Sequence, residues 1–192
     1  RDFGARNAEA MFTQGQNKEQ ARAASQDIRA RVAAAGRDPH DLRILSGVTV
    51  TVAETADEAA AKRRELEDLF SSDDAAILFA GFTGIDLRSL DPKMHLDDIP
   101  RNDQGQTPLD RYRTVDGVDT VQDVLDAFRV QERGFVVTGD PVSVAEELIE
   151  TAEYADVDGY MLEPTFGDMG AYQDFIRLVL PELRRRGAWR EP

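Results

Sequence analysis

Few side chains in this sequence can move a proton near neutral pH, and their positions are the first guide to its chemistry. The two histidines are His40 and His95. His40 follows Arg37-Asp38-Pro39, a turn sequence, and reads as a solvated loop residue. His95 lies in Lys93-Met94-His95-Leu96-Asp97-Asp98, where an imidazole with a pKa near neutrality is a candidate general acid, against the plainer reading of an exposed lid residue. Glu163 precedes Pro164 and closes an apolar run, so it is a candidate proton-transfer group at a strand end, although a carboxylate there can equally cap a helix or stay solvated. Thr165 and Phe166 follow it, and Thr51 lies near the end of a second run, rich in β-branched residues. Asp97 and Asp98 stand beside His95, but adjacent side chains on an extended chain diverge, so no metal site is expected. Gly81-Phe82-Thr83-Gly84 has neither the phosphate-loop lysine nor dinucleotide glycine spacing. With no cysteine, disulfides and thiolate metal sites are excluded.

The elements that would position these residues alternate along the chain. Ala5 to Ala10 has a helical composition and passes into a short apolar run, Ala10-Met11-Phe12-Thr13, read as a buried strand. Asn17 can cap a helix whose apolar face is Ala21, Ala24, Ile28, Val32 and Ala35, stopped by Gly36. Ile44 to Val52 is rich in β-branched residues, with Gly47 inside, as expected of a strand buried on both faces. Thr55 and Glu58 form a capping box for a helix running to Phe70. From Ser71 to Gly117 the regularity fails among glycines, prolines and charges, which predicts a long irregular excursion. Thr120 to Gln131 resumes helix, Phe135 to Thr138 is strand-like, and Asp140-Pro141 starts another helix. Asp158 to Pro164 reads as the last strand. Tyr172, Phe175, Ile176, Val179, Leu180 and Leu183 stripe the last helix, where Pro181 starts a final turn or kinks it. Strands alternating with helices imply a parallel sheet with right-handed crossovers, in an open sheet or a barrel.

A chain of 192 residues, 41% of them hydrophobic, can bury one real core. No apolar run approaches the ~20 residues of a membrane span, and the first residues lack a signal-peptide pattern, so a cytoplasmic protein without membrane association is expected. A formal charge of −14 opposes nucleic-acid binding, which relies on clustered cations. The acidity itself reads as solubility.

Several segments carry a more specific signal. The first is Arg1-Asp2-Phe3-Gly4-Ala5-Arg6-Asn7-Ala8-Glu9-Ala10-Met11-Phe12-Thr13, and the second is Ala35-Gly36-Arg37-Asp38-Pro39 ahead of the strand Ile44 to Val52. The third is Phe135-Val136-Val137-Thr138-Gly139-Asp140-Pro141-Val142-Ser143-Val144-Ala145-Glu146-Glu147-Leu148, continued by Asp158-Gly159-Tyr160-Met161-Leu162 and by Val179 to Gly187. Together with Thr83-Gly84-Ile85-Asp86-Leu87, these resemble the bacterial-luciferase-like flavin-dependent monooxygenases, in the subfamily that includes nitrilotriacetate and dibenzothiophene-sulfone monooxygenases. The resemblance covers nearly the whole chain. In that family a proline commonly follows the threonine, whereas Gly139 stands here and Pro141 comes later, a departure that bears on helix-start geometry more than on chemistry.

The resemblance implies an α/β fold that is the C-terminal part of a (β/α)8 TIM barrel: strands six to eight with their helices and an insertion before the last strand. Residues 1–192 would belong to one barrel domain, with 71–117 as the insertion. Such a barrel typically takes about 250 residues, so strands one to five, and a serine-bearing phosphate loop just before Arg1, are expected outside this sequence. This part alone is then expected to be inactive. By resemblance, reduced FMN from a separate flavin reductase would act with O2 on a small organic substrate, the flavin carrying the difficult chemistry. Backbone amides at Arg1 and Asp2 would face the FMN phosphate, since a helix N-terminus offers free N–H groups. Thr51, Glu163, Thr165 and Phe166 would face the barrel mouth on the substrate side, with His95 reaching it from the excursion. A homo-oligomer is expected. Two other readings stand beside this one: a deazaflavin-dependent oxidoreductase, and a non-catalytic half-barrel completed by another chain, whose open strand edges would promote association.

Overall fold

The β-branched run at the centre of the sequence forms the longest strand, β2 (Arg43–Val52), and every other strand pairs with it. These are β1 (Ala10–Thr13), β3 (Phe135–Gly139) and β4 (Gly159–Glu163), all parallel to β2. β1 pairs with the first part of β2, from Ala10↔Arg43 to Thr13↔Ser46. β4 pairs with its middle, Leu45↔Gly159 to Thr49↔Glu163, and β3 with its end, Val48↔Phe135 to Val52↔Gly139. A parallel sheet with connecting helices is the α/β arrangement the alternation implies. The computed structural model describes residues 1–15, 17–100, 102, 109, 110, 112, 113, 115, 117–130, 135–163 and 169–189.

Residues 1–64 and 133–192 form one compact unit around the sheet, and residues 65–132 form another. In the first unit, α1 (Asp2–Asn7) leads into β1 and α2 (Lys18–Ala34) follows it. Asn17 caps α2 by accepting from the Gln20 amide at 2.8 Å, as its sequence predicts. α2 buries Ala21, Ile28 and Val32 against Leu42 and Ile44. α3 (Ala56–Leu69) begins at the Thr55/Glu58 capping box, in which Thr55 accepts from the Glu58 amide and Glu58 accepts from the Thr55 amide. α6 (Pro141–Ala155) is capped by Asp140, which accepts from the amides of Val142 and Ser143, and has Pro141 at its first turn, where no N–H is needed. Its buried face, Val144, Ala145 and Leu148, packs on Val48, Val50, Phe135 and Val137.

The terminal helix is not uniform. α7 (Gly170–Asp174) continues through a π-helical turn, Phe175–Val179, into α8 (Leu180–Arg185). Pro181 stands in the first turn of α8, and a proline supplies no N–H to the turn before it, which accounts for a widened turn at that place. Phe175, Val179 and Leu183 still align on one buried face.

The second unit corrects one expectation. The excursion from Ser71 opens with a regular helix, α4 (Ser72–Thr83), whose capping box pairs Ser71 with Asp74 and whose C-cap, Gly84, takes φ 68°. α4 is apolar on most sides, so it lacks the polar–apolar periodicity that marks a surface helix. Phe79 is fully buried while Ile77, Leu78 and Phe82 are exposed. α5 (Val121–Val130) packs on it, with Phe79 and Phe128 edge to face at 5.5 Å, and Leu87, Leu96 and Ile99 from short 3-10 turns complete that core. Among the described residues no helix is long and apolar enough to cross a membrane.

Candidate functional site

Successive side chains of a strand alternate between faces. Ile44, Ser46, Val48, Val50 and Val52 of β2 therefore share one face, and the buried cluster with α2 and α6 identifies it as the helix-covered one. Leu45, Gly47, Thr49 and Thr51 share the other. Register adds to this second face Phe12 opposite Leu45, Met161 opposite Gly47, Glu163 and Val136 beside Thr49, and Thr138 beside Thr51. The polar members gather at the C-terminal ends of the strands, where parallel α/β sheets bind their ligands.

This face is open at its rim and closed at its floor. Phe12 and Met161 are 40% and 42% exposed, Thr138 is exposed and Glu163 half-buried, whereas Thr49 and Thr51 are 0% and 2% exposed. Among the described residues, the hydroxyls of Thr49 and Thr51 are buried without a hydrogen-bond partner, as is that of Ser46 on the helix side. A buried hydroxyl left unpaired costs about 1–3 kcal/mol, so two side by side at a strand end call for a function. Thr51 and Glu163, both expected on the substrate side, are thus brought to one face. Thr49 and Thr138 were not singled out from the sequence. Thr49 could have been found by its two-residue spacing from Thr51, but Thr138 enters only through the β2–β3 register.

The other expected residues lie elsewhere. The Arg1 guanidinium is 2.6 Å from the Asp27 carboxylate, and Arg31 bridges Asp27 and Asp2. Hydrogen bonds from Arg31 to Asp2, and from Arg1 and Arg31 to Asp27, hold both carboxyls below their ordinary range. The Arg1 and Asp2 side chains are therefore committed to α2 and do not join the strand-end set. His95 belongs to the second unit, where its Nδ1 accepts from the Asp97 amide and caps the turn Leu96–Asp98. Thr165 and Phe166 lie outside the described residues. His40 stands in a 3-10 turn, Pro39–Asp41, as its surroundings imply. Among the described residues, no group of three or more His, Cys, Asp or Glu side chains is placed to hold a metal ion.

At the opposite, N-terminal ends of the strands, charge does structural work. Arg29 of α2, only 8% exposed, donates to the carbonyls of Leu42 and Pro39 and to the carboxylates of Asp156 and Asp158, the last at 2.8 Å. Asp158 also accepts from the Ile44 amide at 2.8 Å and from Arg43 at 2.9 Å. Burial pushes the Asp158 carboxyl up, but the Ile44 amide and the two guanidinium groups outweigh it and hold the carboxyl below the usual range. An apolar cavity of about 740 Å³ opens beside β4, lined by Leu148, Ile149, Leu162, Phe175, Ile176 and Trp189 among others. Its half-buried phenol, Tyr160, donates to the Leu148 carbonyl at 2.6 Å, and partial burial holds that phenol well above its ordinary pKa. The cavity shares none of the strand-end hydroxyls.

Comparison with known proteins extends these observations. The family described as "Luciferase-like monooxygenase" matches residues 1–159. The dimethyl-sulfide monooxygenase of Hyphomicrobium sulfonivorans is 35% identical over 187 residues, covering 96% of this chain and 38% of its own length. Nitrilotriacetate monooxygenase component A of Aminobacter aminovorans is 28% identical over 198 residues, covering 99% of this chain and 43% of its own length. Among solved structures, a riboflavin lyase with modified FMN and substrate riboflavin superposes with a TM-score of 0.84 at 34% identity, covering 97% of this chain and 40% of the other. The chain thus spans about two fifths of the length of the relatives it matches.

Proposed function

This chain belongs to the luciferase-like monooxygenase family, and we propose that it supplies the C-terminal part of a (β/α)8 barrel in an FMN-dependent monooxygenase acting on a small organic substrate. In this reading β1, β2 and β4 are barrel strands six, seven and eight, residues 1–192 belong to one barrel domain, and the segment 71–117 belongs to its insertion. The observation that carries the reading is the strand-end face, where Glu163 stands beside Thr49 and Thr51, whose buried hydroxyls have no hydrogen-bond partner among the described residues. A face with an apolar rim and a few polar groups fits a flat, partly polar ligand such as a flavin. The riboflavin lyase relative, whose structure carries modified FMN and riboflavin, supports the same ligand class.

Bound reduced FMN would supply the electrons for oxygen activation. The residues of this chain would bind, orient and exclude water. Phe12 and Met161 would shield the ring from solvent, and Thr51 would hold a polar group against the strand end. Glu163 would accept or return a proton at its carboxylate. The flavin phosphate would meet the backbone amides at Arg1 and Asp2, whose side chains are engaged with α2. A separate flavin reductase is the proposed partner, in line with the "component A" designation of the nitrilotriacetate relative.

Thermal unfolding with and without saturating FMN tests the proposal, on this chain alone and on the chain fused to the first five strands of the dimethyl-sulfide monooxygenase. A ligand that binds only the folded state must raise the midpoint. A rise confined to the fusion supports the barrel-part reading, and no rise in either overturns the flavin assignment. A second reading, a non-catalytic half-barrel completed by another chain, is favoured by the edge of β4, which among the described residues pairs only with β2. Reduced-flavin oxidation of substrate by the fusion would exclude it.

A further inference from the structure

We propose that α7 is a strap beside β4, hinged at the π turn, latched by the ion pair between Lys62 and Asp174, and poised to close on the apolar cavity along that strand. The inference rests on the terminal helix and its neighbours and is independent of the flavin reading.

Weak anchoring is the first observation. α7 buries none of its residues, whereas the π turn after it buries Phe175 and Val179, and α8 buries Leu183. A segment with few buried contacts opens at the least cost. The hydrogen-bond ladder also loosens where these pieces join. The Phe175 amide is shared between the Ala171 and Tyr172 carbonyls, and the Leu180 amide reaches five residues back to the Phe175 carbonyl. Pro181 has no N–H to offer the Arg177 carbonyl four residues before it. A hinge at this turn therefore breaks few bonds.

The two sides of the strap differ in kind. Tyr172, Phe175 and Ile176, three and four residues apart, share one side and line the cavity of about 740 Å³, together with Leu162 and Trp189. Asp174 and Arg177 fall on the opposite side of the helix. There Lys62 of α3 holds Asp174 at 2.5 Å, and Arg177 holds Glu54, just beyond β2, at 2.6 Å. The Arg177 pair is exposed on both partners and contributes little, whereas the side chains of Lys62 and Asp174 are 31% and 28% exposed, so Lys62 is the latch. On the cavity side, Tyr172 makes only a long hydrogen bond, 3.4 Å, to the Leu162 carbonyl. With the latch released, Tyr172 and Ile176, the latter 59% exposed, gain apolar burial by turning into the cavity, and no charge attraction opposes them.

The test uses the whole chain, in which Trp189 is the single tryptophan, with Lys62→Met, Lys62→Arg and, as control, Glu146→Gln, which breaks the Arg186 pair at the other end of the helix. Amide hydrogen exchange is read at Gln173, Asp174 and Phe175 against α8, and Trp189 emission is read in parallel. Lys62→Met should speed exchange at the three amides about tenfold, leave α8 unchanged and shift Trp189 emission to shorter wavelength as the cavity closes over the indole. Lys62→Arg should restore the wild-type behaviour, and Glu146→Gln should move neither readout. In the wild type, 1 M salt, where the Debye length is about 3 Å, should reproduce the Lys62→Met result, so the inference stays testable if that variant fails to fold. Unchanged exchange at the three amides overturns the latch. Faster exchange with Trp189 emission unmoved overturns closure on the cavity, and equal acceleration in α8 marks a general loss of stability and overturns the strap.

Discussion

Arg29 illustrates how much one buried side chain can carry. Its guanidinium joins α2 to the residues that open β2 and β4, so its loss would remove this donor from the Asp156 carboxylate and the carbonyls of Pro39 and Leu42 and leave Asp158 with only the Ile44 amide and Arg43. Breaking a buried ion pair by removing one partner costs about 3–5 kcal/mol, and Arg29→Ala should destabilise the protein by an amount near the lower bound, because Asp156 is half exposed. Urea unfolding measures this, and a loss below about 1 kcal/mol would contradict the assignment. Asp158 makes a pH prediction. Its carboxyl is held below the ordinary range in the fold, so its contribution is complete above the unfolded carboxylate pKa of about 4 and is lost as pH falls through the lower folded value. Stability should therefore fall in acid below about pH 4, and Asp158→Asn should flatten that fall while lowering stability at pH 7. An unchanged acid slope in the variant would show that other carboxyls govern it.

At the scale of elements, the start of α6 concentrates local rules. Asp140 satisfies two free amides of the first turn, and Asp140→Ala should cost about 1 kcal/mol by thermal or urea unfolding. Gly139 is fixed by a close approach. A Cβ there would lie 2.4 Å from the Ser143 hydroxyl, which is itself bonded to Asp140. Gly139→Ala should destabilise by roughly 1–3 kcal/mol, and adding Ser143→Ala should recover part of the loss. A double variant no better than the single one would place the strain in the backbone. The π turn before Pro181 is a further local consequence, because a missing N–H changes the hydrogen-bond pattern of the turn that precedes it.

At the scale of the whole molecule, β1 and β4 each pair only with β2 among the described residues, and the sheet carries an apolar rim at Phe12 and Met161. Unpaired edges and exposed apolar faces favour association, so this chain alone should self-associate as its concentration rises. Sedimentation velocity measures this. Met161→Lys should weaken the association, and fusion to the barrel strands that the proposed function adds should abolish that mode. Association unaffected by either change would place the contact elsewhere.

Much of the fold was determined by local chemistry and so was legible in the sequence. The cap at Asn17, the box at Thr55 and Glu58, the Asp140-Pro141 start and the β-branched run of β2 each act within a few residues, and all stand as expected. α4 escaped detection because an all-round apolar helix has no periodic contrast, and its cap alone marked it. Arg29 carries no signal in the sequence, because its carboxylate partners lie 127 and 129 residues away. The site was only half visible. Thr51 and Glu163 could be picked by strand position, but their assembly with Thr49 and Thr138 depends on register between strands far apart in the chain. Sequence fixes which face a side chain takes relative to its neighbours, because alternation is local. Which strands lie beside one another, and which hydroxyls are left buried without a partner, depends on long-range pairing, and that the tertiary structure alone decided.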